Sequence, residues 1–187
     1  MRNDIIQALE EYEIKTIGNK KNIEKAEALL NSSEKVLFVT PTNLVVTATN
    51  TREKKKLPGV VILTDQRMLF YYQIMFSSST EVVALDEIRS INSNTNGMTG
   101  GHIELHTMTK SYDILVSYKR DMVQKIVQVF EKAKRDFAAS ANASTSTAGN
   151  NSILEQIEKL LDLNKEGIIT DEEFKTKIEE LQAKRRR

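Results

Sequence analysis

The chain has 187 residues, and its 27 Lys and Arg nearly cancel 26 Asp and Glu, leaving a net charge of +1 with two His and no Cys. That length holds one ordinary domain and a small accessory unit, and near-neutrality excludes a global field that would recruit nucleic acid or an acidic membrane. The absence of Cys excludes disulfides, thiolate nucleophiles and thiolate metal sites, as suits a reducing compartment.

The N-terminal MRNDIIQALEEYEIK places acids where a signal peptide needs an unbroken apolar core. No run approaches the roughly 20 apolar residues of a spanning helix, so a cytoplasmic location is expected. Ile5, Ile6, Leu9, Ile14 and Ile17, then Ile23, Ala26, Leu29 and Leu30, recur at helical spacing, with Gly18-Asn19 as a break. Residues 1–33 are expected to form a helical arm of two short amphipathic helices, covering one side of a sheet or binding a partner.

From Glu34 the pattern changes to strands. Gly59 to Phe76, GVVILTDQRMLFYYQIMF, holds two apolar runs around a polar Thr64-Asp65-Gln66-Arg67 corner, which reads as a central pair. Strands are expected at 35–40, 44–49, 59–64, 67–76, 80–85, 88–93, 102–108 and 111–117. Pro41-Thr42-Asn43, Ser77-Ser78-Ser79, Asp86-Glu87, Asn96-Gly97 and Thr109-Lys110 are among the separating turns. So many short strands indicate an antiparallel meander curling into a barrel or two packed sheets. In 119–137 the stripe Met122, Val123, Ile126, Val129, Phe130, Ala133 and Phe137 predicts a helix that closes an open end.

Residues 138–151, AASANASTSTAGNN, are small and polar and read as a flexible linker. Residues 152–187 read as a separate helical hairpin. Ile153, Leu154, Ile157, Leu160 and Leu161 form one stripe and Phe174, Ile178 and Leu181 a second, with Gly167 at a helix stop and Thr170 and Glu173 as a capping box. About thirty residues rarely form a sufficient core alone. Ile153, Ile157, Leu160, Leu161, Phe174, Ile178 and Leu181 are therefore expected to bind a partner, most economically a second copy of the chain.

Pro58-Gly59-Val60-Val61-Ile62-Leu63-Thr64-Asp65-Gln66-Arg67-Met68-Leu69-Phe70, followed by Leu85-Asp86-Glu87-Ile88-Arg89-Ser90-Ile91, resembles the bacterial pleckstrin-homology-like (PH-like) domains, and most nearly the YokE-like group. In these a G-hydrophobic-LT-x-x-R-hydrophobic hairpin precedes an x-x-I-x-x-I strand start, and a capping helix comes last. The resemblance covers 34–137 and implies an α+β protein: a PH-like antiparallel barrel capped by a C-terminal helix, of bacterial or prophage origin. The tail, with Gly167-Ile168-Ile169-Thr170-Asp171-Glu172-Glu173-Phe174, is similar to the SHOCT (short C-terminal) domain. That resemblance implies oligomerisation or nucleic-acid contact and no enzymatic activity.

Asp162, Asn164, Glu166, Thr170 and Glu173, with Gly167 at the sixth place, also fit the spacing of a calcium-binding EF-hand loop. Glu is bulky for the fifth place, no second hand is present, and the helix stop and capping box explain the same residues, so no metal is assigned. His102-Ile103-Glu104-Leu105-His106 puts two imidazoles on one strand face about 13 Å apart, too far to share an ion. It reads as a solvent-facing polar row. No catalytic arrangement and no cofactor site is expected. Arg52, Lys54, Lys55 and Lys56 form the one dense basic loop of the sheet domain, a candidate contact for anionic lipid or nucleic acid, to which Lys184-Arg185-Arg186-Arg187 could contribute. Asn96-Gly97-Met98-Thr99-Gly100-Gly101 leads into a strand and reads as a hairpin loop, not a phosphate cradle. The expectation is a non-enzymatic assembly protein, with anion binding as the second class.

Overall fold

The computed structural model describes residues 1–74, 77–96, 98, 100–117, 119–141 and 177. Two units succeed one another along the chain, Met1–Ala138 and Ala139–Arg187, and nearly all described residues belong to the first. Helices α1 (Asn3–Glu11) and α2 (Lys20–Glu27) precede strands β1 (Val36–Ala48), β2 (Lys54–Thr64), β3 (Arg67–Ile74), β4 (Ser77–Ala84), β5 (Ser90–Asn96), β6 (Gly100–His106) and β7 (Lys110–Ser117). Helix α3 (120–141) comes last.

The strands form one antiparallel sheet in the order β4-β3-β2-β1-β7-β6-β5, so the expected barrel does not close and β4 and β5 are its edges. The sheet nevertheless curls. Tyr112 on β7 donates its hydroxyl to Glu81 Oε1 on β4 at 2.8 Å, and Lys110 on β7 ion-pairs with the same carboxylate, although β3, β2 and β1 lie between these strands. Accumulated strand twist brings the two sides back towards each other, and side chains, not a backbone ladder, bridge the seam. Burial, reinforced by the Glu81 charge, pushes the Tyr112 hydroxyl well above its ordinary pKa.

Three elements differ from expectation. Residues 35–40 and 44–49 are not two strands around a turn but one long β1 passing through Pro41. β7 pairs only with Val45–Ala48, so among the described strands β1 has β2 as its sole ladder partner around Pro41, and a residue without an N–H is tolerated there as on an edge. Lys54, Lys55 and Lys56 begin β2 and do not lie in a loop, because the cross-strand partners Thr47, Val46 and Val45 extend the hairpin to meet them. Ser77-Ser78-Ser79 opens β4, paired with Ile74, Gln73 and Tyr72, and is not a turn.

The N-terminal helices are built into the core and do not form a free arm. Ile5, Ala8, Leu9 and Tyr12 of the α1 region and Ile23 and Ala26 of α2 are buried. The Tyr12 ring meets Phe38 of β1 edge-on at 5.2 Å. β2 accordingly reads as an uninterrupted buried run from Gly59 to Thr64, the pattern of a strand covered on both faces. α3 buries Val123, Ile126, Phe130 and Ala133, and Phe130 lies 5.9 Å from the Phe38 ring. A Cβ on Gly101 would sit 2.1 Å from Val123 Cγ2, so β6 approaches α3 as closely as a glycine permits.

Candidate functional site

The Thr64-Asp65-Gln66-Arg67 corner holds the fold together. The Thr64 hydroxyl accepts the amides of Gln66 and Arg67 at 3.1 and 3.0 Å and donates to the Arg67 carbonyl, which fixes the β2–β3 turn. Turned this way, the Arg67 guanidinium grips both oxygens of Glu34 at 2.7 and 3.1 Å and donates to the Leu29 carbonyl at 3.0 Å. The Glu34 side chain is 0% exposed. Burial alone would raise its pKa, but hydrogen bonds from Arg67 and the Asn31 amide, with the guanidinium charge, outweigh it and hold the carboxyl below its usual range. A second arginine completes the clamp: Arg2 donates to both oxygens of Asp4, to the Asn31 carbonyl and to the Glu34 carbonyl. Asp4 in turn accepts the Val36 amide at 2.9 Å. The motif therefore fastens the helices to the sheet and leaves its charges satisfied, with no vacancy for a ligand.

The basic residues lie at one end of the β1–β2 hairpin. Arg52 sits in the turn at φ 54°, and its amide donates to the Ala48 carbonyl; the Thr49 amide donates to the Thr109 carbonyl, tying this turn to the β6–β7 turn. Lys54, Lys55 and Lys56 are all exposed. Lys55 lies directly opposite the buried Val46 and so shares its face, while Lys54 and Lys56 point to the other. Only Lys55 among them has an ion pair within the described residues, with Glu53 at 3.5 Å. The three amines are brought to one hairpin end but not to one point, so they form a rim of positive charge and not a closed cradle.

Apolar surface is left uncovered beside α1. Met1 and Ile6 are each 40% exposed and Ile17 is 88% exposed. Met1, Ile6, Leu9 and Ile14 line a shallow depression of about 510 Å³ with Glu10, Glu13, Thr16 and Lys20. Periodicity marked these isoleucines as apolar helix positions but could not tell the buried Ile5 from its exposed neighbour Ile6. A second cleft, of about 300 Å³, lies between the start of β5 and α3 and is lined by Arg89, Ser90, Ile91, Glu131, Lys134, Arg135 and Ala138. Its residues come from distant parts of the chain, and only the packing of α3 assembles them.

His102 and His106 are half-buried on the face opposite Ile103 and Leu105. They bond to Asp113 Oδ1 at 2.7 Å and Ser111 Oγ at 2.8 Å through their Nδ1 atoms. These cross-strand pairs give the imidazoles ordinary structural partners. Among the described residues no group of three or more His, Asp or Glu lies together as metal ligands would, and no buried side-chain N or O lacks a partner. No described helix is long and apolar enough to cross a membrane. Ile153, Ile157, Leu160, Leu161, Phe174, Ile178 and Leu181, the loop 162–173 and the terminal arginines lie outside the described residues.

A search among curated proteins finds no match. Among solved structures the chain is similar to the Vps36 N-terminal PH domain, at 16% identity over 59% of this chain and 86% of that one, with a TM-score of 0.44. It is also similar to the hSac2 domain of human phosphoinositide phosphatase Sac2, at 10% identity over 64% and 82% of the two chains, with a TM-score of 0.40. A C-terminal domain of an unknown protein from Leishmania infantum matches at 15% identity over 59% and 93%, with a TM-score of 0.37. These likenesses carry no functional argument. The family model "Bacterial PH domain" matches residues 30–132, more than half of the chain, and spans the Arg67–Glu34 clamp, all seven strands and most of α3. The chain belongs to the bacterial PH domain family.

Proposed function

We propose that this chain is a non-enzymatic cytoplasmic binding and assembly protein, in which a PH-type sheet of the YokE-like group carries a SHOCT-like tail. PH domains are generally non-catalytic modules that bind lipids or proteins, and the satisfied polar groups around Arg67 and the histidines suit that role. The observation that carries the reading is the exposed Met1 and Ile6 in the depression beside α1, a helix whose other face is sealed into the core, with Ile17 exposed in the segment that follows the helix. Exposed apolar residues gathered around a depression are a signature of association. In this reading the α1 surface and the tail residues Ile153, Ile157, Leu160, Leu161, Phe174, Ile178 and Leu181 are the contacts through which copies of the chain meet. Light scattering over a concentration series tests it. The full chain is expected to exceed its monomer mass, and Ile6→Glu with Ile17→Glu to lower the mass at a given concentration; a monomer throughout would remove the proposal.

A second reading, recognition of an anionic lipid surface or nucleic acid, is favoured by one observation: Arg52, Lys54 and Lys56 are exposed cations with no acidic partner among the described residues. Cosedimentation with anionic vesicles and gel shift with duplex DNA test it. Binding that disappears in high salt and in the Lys54→Ala, Lys55→Ala, Lys56→Ala variant would support it, and salt-insensitive binding or none would not.

A further inference from the structure

We propose that Met108, at the tip of the β6–β7 turn, is a site of reversible oxidation by hydrogen peroxide, and that the Arg89 guanidinium directs the oxygen to one side of the sulfur. Met68 and Met122 are packed into or against the core, where a flexible thioether fills gaps. Met98 and Met108 are instead 92% and 74% exposed, so a peroxide in solution can reach both sulfurs. What separates the two is the cation beside one of them. The Arg89 Nη2 donates to the Met108 Sδ at 3.4 Å, whereas the Met98 sulfur has no such donor among the described residues.

Both partners of that contact stand on fixed backbone. Thr107 repeats at this turn the part that Thr64 plays at the β2–β3 corner. Its hydroxyl accepts the amides of Thr109 and Lys110 at 3.4 and 3.1 Å and donates to the Lys110 carbonyl at 3.1 Å. The Thr109 carbonyl also takes the Thr49 amide at 2.9 Å, which ties down the far side of the turn. Arg89 donates its own amide to the His106 carbonyl at 2.7 Å and accepts Lys134 Nζ on its carbonyl at 3.2 Å. Its guanidinium has no ion pair with a carboxylate among the described residues, so no acid competes with the sulfur for it.

A thioether sulfur has two lone pairs and accepts hydrogen bonds weakly. It oxidises when one lone pair attacks a peroxide oxygen: the S–O bond forms as the O–O bond breaks, and the departing oxygen takes the proton of the transferred one and leaves as water. The sulfur is oxidised, the peroxide is reduced, and nothing else is consumed. An N–H group already on one lone pair leaves the other to the peroxide, so the new stereocentre at sulfur should be of one hand. The result is a polar side chain in place of an apolar one, which the reductase specific for that sulfoxide epimer restores. The site depends neither on the association surface nor on the basic rim.

The test is to treat the full chain with dilute hydrogen peroxide, digest it, and divide the peptides between the two epimer-specific methionine sulfoxide reductases. Mass spectrometry then reads the oxygen remaining at each methionine. At Met108 one reductase should remove at least about five times as much sulfoxide as the other, since each acts on a single epimer. At Met98 the two should remove similar amounts. Arg89→Ala should make Met108 behave as Met98 does, and because the Arg89 side chain is exposed and only backbone groups tie it to His106 and Lys134, the variant should melt as the parent does. The comparison of Met108 with Met98 within the parent chain stands whether or not the variant folds. Absence of sulfoxide at Met108 while Met98 oxidises, equal epimers at Met108, the same bias at Met98, or a bias that survives in Arg89→Ala each overturns the proposal.

Discussion

Arg67 and Glu34 show how one ion pair can decide whether two halves of a fold stay joined. The carboxylate is fully buried, and the guanidinium meets it in fork geometry while also taking the Leu29 carbonyl. Removing the cation strands a buried charge, so Arg67→Ala should cost about 3 kcal/mol or more in urea unfolding, because breaking a buried pair from one side is far more harmful than the pair is beneficial. Arg67→Lys should recover only part of this, since an ammonium cannot span both Glu34 oxygens and the carbonyl together. Glu34 and Asp4 are both held below their ordinary pKa values despite burial, Glu34 chiefly by Arg67 and Asp4 by the Val36 amide and Arg2. An acid with a depressed folded-state pKa contributes stability that is complete above its unfolded value, about 4, and is lost as pH falls through the folded value. Stability should therefore fall on acidification below about pH 4. Glu34→Gln should be less stable at neutrality yet lose less between pH 5 and pH 2; equal acid slopes for parent and variant would show that Glu34 carries no such linkage. Gly59 sets a different limit: a Cβ there would lie 2.2 Å from the Tyr71 carbonyl, a backbone atom that cannot rotate aside. Gly59→Ala should cost about 2 to 3 kcal/mol by denaturant midpoint, and a neutral result would mean that β2 and β3 can separate locally.

At the scale of elements, the strands of the central hairpin were legible because β2 and β3 pair through a local corner, and the buried stripe of α3 was legible because Val123, Ile126, Phe130 and Ala133 keep helical spacing. Pro41 misled because a proline between apolar runs normally punctuates them. Here its neighbourhood on β1 has no backbone ladder to β7, which it meets only through the Thr42 hydroxyl on the Leu115 carbonyl, a fact set by how far a strand more than sixty residues later in sequence reaches. Closure of the barrel was not legible for the same reason: whether the last strands return to β4 depends on accumulated twist, and the Glu81–Tyr112 contact that bridges the seam leaves no local signature. The place of the N-terminal helices could be read only as a choice between cover and arm, and their exposed and buried isoleucines sit side by side in sequence. Since α1 and α2 shield β1, β2 and β3, a chain beginning at Glu34 should expose Phe38 and the buried β2 run and lose the Arg2 contacts together. It should aggregate or bind a hydrophobic dye where the full chain does not; a soluble, cooperatively melting product would mean that the helices are a dispensable cover.

For the molecule as a whole, the proposed association surfaces lie near opposite ends of the chain, and that arrangement has a consequence for assembly size. The depression beside α1 carries both charge signs, Glu10 and Lys20, around Ile6 and Ile14, so a copy related by a two-fold axis can set each charge against its opposite and close as a pair. A single self-complementary surface stops at a dimer. If residues 153–181 supply a second such contact, as proposed, each dimer can be linked to others and assembly can continue beyond two copies, because neither contact satisfies the other. The full chain should therefore show a mass that climbs past twice the monomer as concentration rises. The chain ending at Ala138 should level off at twice its own mass, and Ile6→Glu with Ile17→Glu in that shorter chain should return it to the monomer. If the shorter chain is monomeric while the full chain is a plain dimer, self-association belongs to the tail alone and the α1 surface has some other occupant. If the full chain also keeps the monomer mass at every concentration, the exposed isoleucines are incidental, and the basic rim at Lys54–Lys56 becomes the better place to look for this domain's ligand.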